Sequence, residues 1–269
     1  MRISVVCPTW QCAGYIAGTV EMLLRQERRP EEVVFVDDGS TDGTVDILET
    51  SRARFEAGGT SFILVRKEHS GPGATRNAGM AAATGDWIAF LDADDVWYPS
   101  KLARVAAAMH AHPDANCIVH WERYRKQDGT TALIKSGSAF DLACPLPPQV
   151  FAANHFSTSA TTLRRELYTL SGGMDPSLPV SQDYEFWLRL SPSLRLACIE
   201  EPLGEYVELA TSITARPYWK KVWPLLRIFW RHRGKGGWRL ACVRIAKTLL
   251  SRQWVYSLRN AVLGRKAHS

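Results

Sequence analysis

The chain has 269 residues, of which 46% are hydrophobic and 22% charged, which suits one sizeable globular domain with an appendage. The net charge of +6 is unevenly spread: residues 216–269 hold 14 Lys/Arg and no Asp/Glu, whereas residues 1–215 have a balance of −8. The six cysteines form no CxxC pair, so buried reduced thiols are expected rather than a metal cage or disulfide framework. The first apolar stretch stops at Pro8, and no apolar run approaches the roughly 18 residues of a membrane span. We therefore expect a cytoplasmic protein with no signal peptide and no transmembrane helix.

Strands and helices alternate cleanly through the first part of the chain. The predicted strands are RISVVCP, EEVVFVDD, SFILVRK and DWIAFLDAD. The predicted helices are 13–25, 42–55, GATRNAGMAAATG and 99–109. This alternation indicates βαβ units and a parallel sheet.

The second part is less regular. Strands are predicted in NCIVHWERYRK, STSATTLRRE and LRLACIEEPLGEYVEL. A short helix should stop at Gly172-Gly173, and QDYEFWLRLS should form an amphipathic helix with Phe186, Leu188 and Leu190 in the core.

Acidic residues end two of the predicted parallel strands. Asp37 and Asp38 follow the second strand, and Asp92 and Asp94 follow the fourth. In open α/β sheets the binding crevice lies outside the carboxyl ends of the strands, so we expect the two clusters to converge.

The segment Asp92-Ala93-Asp94 places two carboxylates where a strand-end turn can aim them at one point. Oxygen ligands so placed suit a hard divalent cation such as Mg²⁺ or Mn²⁺, which bridges carboxylates to substrate phosphates. The alternative is a solvated turn that caps the next helix, and Asp95 is expected to be only such a cap.

Two glycine-containing segments add candidate ligand contacts. In VDDGSTDGT, the residues from Ser40 onward fit ordinary helix capping, but the paired acids before Gly39 could accept hydrogen bonds from a base or ribose. In HSGPGATRN, Gly71 and Gly73 allow close backbone approach, and Arg76 could hold a phosphate or be merely solvated.

Together, VVCPTW, VDDGSTDGT, GPGATRNAGMAAATGDWIAFLDADD and GGMDPSLPVSQDYEFWLRL resemble the family 2 glycosyltransferases of the GT-A fold, over roughly Arg2 to Val207. The resemblance implies an α/β fold, with a mostly parallel Rossmann-like sheet and flanking helices. It implies a transferase domain at 1–215, with a nucleotide-binding half at about 1–115 and an acceptor half at about 116–215. Residues 216–269 would form a basic, Trp-rich helical tail.

The same resemblance implies residue roles. Asp183 matches the catalytic base, and Asp94 matches the acid that ligates the metal. Nucleotide-sugar contacts are implied for seven residues: Pro8, Thr9, Asp38, Gly73, Arg76, Asp92 and Ala93. Read alone, Asp183 would be a first-turn acid that interacts with its helix dipole.

The sequence departs from the family pattern at three points. Trp10-Gln11 replaces the usual aromatic-Asn pair, which changes the expected edge of the nucleotide pocket, and Gln182 replaces the first acid of the Glu-Asp pair, leaving Asp183 as the single carboxylate there. The Gln-x-x-Arg-Trp signature of processive synthases is absent, which favours one sugar per visit.

The resemblance thus implies an inverting, metal-dependent transferase that moves a sugar from a nucleotide-diphospho-sugar, by default a UDP-sugar, to a sugar or lipid-linked acceptor. GDP and dTDP donors, the choice of Mg²⁺ or Mn²⁺ and the formation of a homo-oligomer stay open. The alternative is a non-catalytic protein that holds a nucleotide sugar on the same scaffold. A nucleotidyltransferase is disfavoured, because no glycine-rich, lysine-bearing loop follows the first strand.

The basic tail has a helical pattern of its own. Trp219, Trp223, Leu226 and Trp230 recur at helical spacing beside basic residues, with Pro224 expected to open or kink the helix. A second helix is predicted after Gly236-Gly237. Three interpretations remain: docking to the inner face of the cell membrane, a packed subdomain or dimer contact with a solvated basic face, and nucleic-acid binding, which the broad apolar face disfavours.

Overall fold

The computed structural model describes residues 1–209 and 219–249. The strands in these ranges are β1 (Ile3–Thr9), β2 (Glu32–Asp37), β3 (Ser61–Arg66), β4 (Trp87–Phe90), β5 (Val96–Trp97), β6 (Cys117–Arg125), β7 (Thr131–Ile134), β8 (Thr161–Arg164) and β9 (Leu196–Val207). The helices are α1 (Ile16–Leu24), α2 (Thr44–Ala57), α3 (Pro72–Ala82), α4 (Lys101–Ala111), α5 (Leu146–Ala152), α6 (Glu166–Ser171), α7 (Gln182–Leu190), α8 (Trp219–Arg231) and α9 (Arg233–Leu249).

One mixed sheet unites these strands in the order β3-β2-β1-β4-β8-β6-β9-β5, with β7 paired to β6. Strands β1 to β4 are mutually parallel, as the alternating pattern predicts. Beyond β4 the pairing changes: β8 runs antiparallel to both β4 and β6, whereas β6 and β9 are parallel. The α/β fold class is confirmed, and the parallel arrangement is concentrated in the first half of the chain.

Central strands are buried on both faces, which is why they read as continuous apolar runs. On one face, Val5 and Phe35 pack with Leu23 of α1 and Phe55 of α2. On the other face, α3 lies so close that a Cβ at Gly79 would be 2.4 Å from Val6 Cγ1. This close contact, together with Val36 of β2 at 3.1 Å from the same position, holds α3 against β1 and β2.

The second half supplies helix α7 to the same core. Phe186, Leu188 and Leu190 are buried, as predicted. Strands β5 and β7 and helix α5 are additions that the sequence pattern did not indicate. The expectation of uniformly buried thiols is wrong for Cys144 and Cys242, which are exposed.

Helices α8 and α9 pack on the α/β body formed by the rest of the described chain. Phe229 contacts the rings of Phe151 and Tyr184, and a Cβ at Gly236 would lie 2.3 Å from Phe151 Cδ1. Pro224 is buried inside α8 rather than at its start. The tail therefore forms a packed helical layer over the residues described here.

A buried ion cluster ties this layer to α7. The Glu185 carboxylate, with 1% of its side chain exposed, contacts His232 Nε2 at 3.0 Å and Arg189 Nη2 at 2.8 Å. Burial alone would raise the pKa of Glu185, but these hydrogen-bonded partners lower it to about 2. Arg231 extends the cluster to Asp175 at 2.7 Å. Within 1–209 and 219–249, none of the helices has the length and apolarity needed to cross a bilayer.

Candidate active site

The candidate site lies where β4 ends and helices α3 and α7 begin. Asp92 and Asp94 follow β4, Arg76 lies in the first half of α3, and Asp183 is the second residue of α7. Residues far apart in the sequence are therefore assembled at the carboxyl edge of the sheet, the place where α/β folds bind ligands.

Arg76 is the cation at the centre of this site. Its guanidinium pairs with the Asp92 carboxylate, while the residue is only 7% exposed. Burial would lower the pKa of Arg76, but the carboxylates of Asp92, Asp183 and Asp94 raise it. Its Nε and Nη1 atoms are buried and have no hydrogen-bond partner among the residues that the structure describes. Because a buried unpaired donor is costly, these atoms are suited to an oxygen-rich anionic ligand.

The acids around Arg76 have altered protonation. Burial and then the neighbouring Asp92 charge raise the pKa of Asp94 from 3.8 to about 6. Burial also raises the pKa of Asp183, and the charge of Arg76 opposes that effect. The site thus holds three carboxylates and one guanidinium, so it carries excess negative charge when all the acids ionise.

Close packing between α3 and the segment before α7 sets the position of Asp183. A Cβ at Gly73 would lie 3.3 Å from Gln182 Cγ. The Asn77 side chain donates to the Met174 carbonyl at 2.8 Å and accepts from its N–H at 2.7 Å. Gly173 lies directly against the Asn77 side chain. The absence of a Cβ at Gly173 therefore allows the backbone to approach the Asn77 amide closely. Arg76 and Asp183 therefore belong to one packed unit.

Ser181 precedes this unit with an unusual backbone. It adopts a left-handed conformation (φ 58°) immediately before α7. A non-glycine residue in this region costs roughly 1–2 kcal/mol, and such strain is concentrated at functional sites.

Asp38 organises the loop after β3. It is 3% exposed, and its carboxylate accepts from Lys67 Nζ at 2.6 Å, Ser70 N at 3.0 Å and Gly71 N at 2.9 Å. Burial would raise the pKa of Asp38, but these donors hold it below its ordinary value. Direct contact of Asp38 with a base or ribose stays a prediction.

The first strand ends beside this loop. Thr9, which follows Pro8, is buried, and its carbonyl accepts the Asp38 N–H at 2.9 Å. Trp10 is 51% exposed and stacks on His69 with ring centroids 4.7 Å apart. The sequence signalled Trp10 as unusual, but it gave no sign of His69. The pair presents an aromatic platform next to the buried Asp38.

Ser159 stabilises the Asp92–Asp95 turn through hydrogen bonds to both of its ends. The Asp92 N–H donates to Ser159 Oγ at 3.0 Å, and this hydroxyl donates to Asp95 Oδ2 at 2.6 Å. The Ser159 carbonyl accepts from the fully buried Lys101 Nζ at 2.7 Å. Ala93, within the turn, accepts from Thr19 Oγ1 at 2.7 Å.

Asp95 has a larger structural role than the predicted helix cap. It is 4% exposed, and its second oxygen accepts the Val207 N–H of β9 at 3.1 Å. Burial, with the charges of Asp92 and Glu122, raises the pKa of Asp95. The capping expectation for Asp95 is therefore wrong, because the carboxylate faces the interior and joins β9 to the turn.

The carboxylate oxygens at the end of β4 fit a divalent cation that the protein would only partly surround. Asp92 and Asp94 are the crowded carboxylates, and a cation would relieve the repulsion that raises the pKa of Asp94. Among the residues described, no group of three or more His, Cys, Asp or Glu side chains is arranged as a complete metal cage. Such an ion would need further oxygen ligands from substrate or water.

Solved structures with this architecture define the class of fold. The chain is similar to Staphylococcus aureus TarS 1–349 in complex with UDP-GlcNAc, with a TM-score of 0.72, 19% identity and coverage of 99% of this chain and 82% of that one. It is also similar to the mannosyltransferase PcManGT from Pyrobaculum calidifontis in complex with GDP-Man and Mn²⁺, with a TM-score of 0.68, 18% identity and coverage of 100% and 76%. The fold is the GT-A fold of glycosyltransferases.

Residues 4–167, more than half of the chain, match the family described as Glycosyl transferase family 2. The protein belongs to this family of glycosyltransferases.

Curated relatives extend the similarity. An uncharacterized glycosyltransferase of Nostoc sp. is 40% identical over 130 residues, covering 48% of this chain and 39% of the relative. The putative teichuronic acid biosynthesis glycosyltransferase TuaG of Bacillus subtilis is 27% identical over 231 residues, covering 84% and 87%. This chain thus spans well under half the length of the Nostoc relative and most of the Bacillus one.

Proposed function

We propose that the protein is an inverting glycosyltransferase that moves one sugar from a nucleotide-diphospho-sugar to a hydroxyl acceptor. The observation that carries this proposal is the convergence of Arg76, Asp92, Asp94 and Asp183 at one sheet edge. A UDP-sugar is the first-choice donor, because TarS was solved with UDP-GlcNAc. The acceptor would belong to a cell-surface polysaccharide or glycolipid, as the name of the TuaG relative suggests.

In this mechanism Asp183 is the general base. The acceptor hydroxyl is a poor nucleophile, and a carboxylate within about 3 Å can take its proton as it attacks the anomeric carbon. Burial raises the pKa of Asp183, which makes it a stronger proton acceptor when ionised. A single displacement inverts the anomeric centre, and no covalent bond to the protein is needed.

Arg76 and the strand-end acids would hold the donor. The free Nε and Nη1 of Arg76 can donate to the diphosphate, and the Trp10–His69 stack can lie beside the base. Asp94, with Asp92 beside it, would hold Mg²⁺ or Mn²⁺, which stabilises the charge of the departing nucleoside diphosphate. Pro8, Thr9, Gly73 and Ala93 would shape the donor site through their backbone.

We place the reaction in the cytoplasm, at the inner face of the cell membrane, because the basic residues of 216–269 suit an anionic leaflet. Nucleic acid is not proposed as a partner.

Donor hydrolysis with and without Mn²⁺ tests the function. A thermal-shift screen of UDP-, GDP- and dTDP-sugars first identifies the donor, since a ligand that binds only the folded protein raises the melting temperature. We expect one donor to stabilise the protein more with Mn²⁺ and to be hydrolysed slowly without acceptor. Binding with neither hydrolysis nor transfer would instead support a non-catalytic nucleotide-sugar-binding protein.

Ser159 offers a test of how the turn is held. Ser159→Ala leaves the Asp92 N–H and the Asp95 carboxylate without their shared partner, which costs about 1–3 kcal/mol. We expect weaker Mn²⁺ binding in the presence of nucleotide, measured by calorimetry, with a raised donor KM and a smaller change in kcat. Ser136→Ala is the matched control, because its buried hydroxyl has no hydrogen-bond partner within residues 1–209 and 219–249. Equal Mn²⁺ and donor affinities in the two variants would contradict this role.

A further inference from the structure

Three tryptophans of the tail remain exposed although their helices are packed. Trp223, Trp230 and Trp238 have exposed fractions of 72%, 57% and 60%. On the same helices, Val222, Phe229 and Ala241 face the body and are about 1% exposed. Packing on the body therefore leaves three large aromatic side chains in water, which is unusual for such residues.

Basic side chains are interleaved with these rings. Trp223, Arg227 and Trp230 are exposed at helical spacing on α8. Across the turn, Trp230 and Trp238 meet edge to face at 5.8 Å, and the Arg233 guanidinium lies 4.6 Å and 5.2 Å from their ring centroids. Arg239 is exposed beside Trp238, and residues 219–249 contain no acid. We call this surface, formed by Trp223, Arg227, Trp230, Arg233, Trp238 and Arg239, the tryptophan face.

We propose that the tryptophan face binds the interfacial region of an anionic lipid bilayer. Trp rings beside Arg guanidinium groups suit the headgroup layer, where the ring is partly desolvated and the cation meets lipid phosphate. Charge complementarity favours this occupant over a second copy of the chain, because two tryptophan faces would bring like charges together. The inference specifies the membrane partner of the proposed function, and it does not depend on the sugar donor.

The packing also fixes how the enzyme would sit on the bilayer. Behind the face, His232 and Arg231 contact Glu185, two residues after Asp183 on α7. The tryptophan face and the proposed base are thereby connected through the buried contacts of Glu185. A docked enzyme would hold Asp183 in a fixed orientation toward acceptors carried by that membrane.

Surface substitutions test the proposal better than deletion of the helices. Deletion would uncover Phe151 and leave Glu185 buried without His232, so the remaining protein would be destabilised. The test variant replaces Trp223, Trp230 and Trp238 by Ser. The matched control replaces three exposed leucines outside α8 and α9, Leu133, Leu142 and Leu170, by Ser.

Co-sedimentation with phosphatidylcholine vesicles, with and without phosphatidylglycerol, gives the readout. We expect the full chain to bind the phosphatidylglycerol vesicles, to be released by salt, and to show blue-shifted Trp fluorescence when bound. The triple Trp variant should bind at least about tenfold more weakly, since even one buried apolar side chain is worth that much. The leucine control should bind like the parent.

Charge is tested separately with Arg227→Gln and Arg239→Gln, compared with Arg66→Gln and Lys126→Gln on other exposed surfaces. We expect only the first pair to weaken vesicle binding. The proposal fails if the full chain ignores both vesicle types, if the Trp variant binds equally well, or if the face binds RNA or self-associates instead of binding lipid. Donor hydrolysis without vesicles should be unchanged in the Trp variant, so failure of lipid binding and failure of the proposed chemistry are distinguishable.

Discussion

Asp183→Asn is expected to lower the rate of sugar transfer by about 10²–10⁴-fold while leaving nucleotide-sugar affinity nearly unchanged. The amide keeps the shape of the carboxylate but cannot accept the acceptor's proton. Initial transfer rates and calorimetric donor affinities measure the two effects. Since burial raises the pKa of Asp183, the rate of the parent enzyme should fall with decreasing pH over a range above the ordinary 3.8. The variant's residual rate should lack this dependence.

Asp114→Asn is the control for this prediction, because Asp114 is an exposed acid away from the site. It should transfer sugar like the parent. If Asp183→Asn lost donor affinity and transfer to the same extent, Asp183 would serve the donor site rather than proton transfer.

Asp94→Asn is expected to remove most of the Mn²⁺-dependent activity, by at least about a hundredfold in kcat/KM. A neutral amide is a poorer ligand for a hard divalent ion, and its loss of charge leaves the departing diphosphate less stabilised. The stabilisation of the protein by nucleotide should also lose its dependence on Mn²⁺ in a thermal-shift measurement. The fold should tolerate the change, because it removes a carboxylate that is crowded by Asp92.

Asp46→Asn is the matched control on α2, where the side chain lies in the first turn of a helix remote from β4. An unchanged response of Asp94→Asn to Mn²⁺ would show that the cation is held elsewhere or is not used. Asp183→Asn and Asp94→Asn also separate the proposed roles of the base and the metal ligand, since only Asp94→Asn should alter metal binding.

The first half of the fold was predictable because its signals are local. Buried strands such as Val33–Val36 and amphipathic helices such as α1 each bury side chains against the same sheet, so composition and spacing suffice. The second half depends on pairings that no local pattern encodes. Strand β7 has exposed side chains along most of its length, and β5 is two residues long, so neither produces a readable alternation.

The part of the candidate site that consists of acidic residues at the ends of strands was predictable from the sequence. Asp92 and Asp94 were indicated by position alone, and Asp183 required the family resemblance. Ser159 and His69 could not be foreseen, since each is an ordinary residue that acquires its role through contacts 67 and 59 positions away. The donors to Asp38 could not be foreseen either, because they come from the Lys67–Gly71 loop, and the convergence of Asp38 with Asp92 stays a prediction.

The join between the two halves has a consequence for engineering. Strand β4 pairs directly with β8, and the Asp92–Asp95 turn is bonded to Ser159 and to Val207. In a chimaera, residues after about 115 would be replaced by the corresponding part of a relative. That part would have to match both the β4–β8 register and the hydrogen bonds of the Asp92–Asp95 turn with Ser159 and Val207. Exchanging the exposed loops around β7 should preserve folding far better than swapping whole segments.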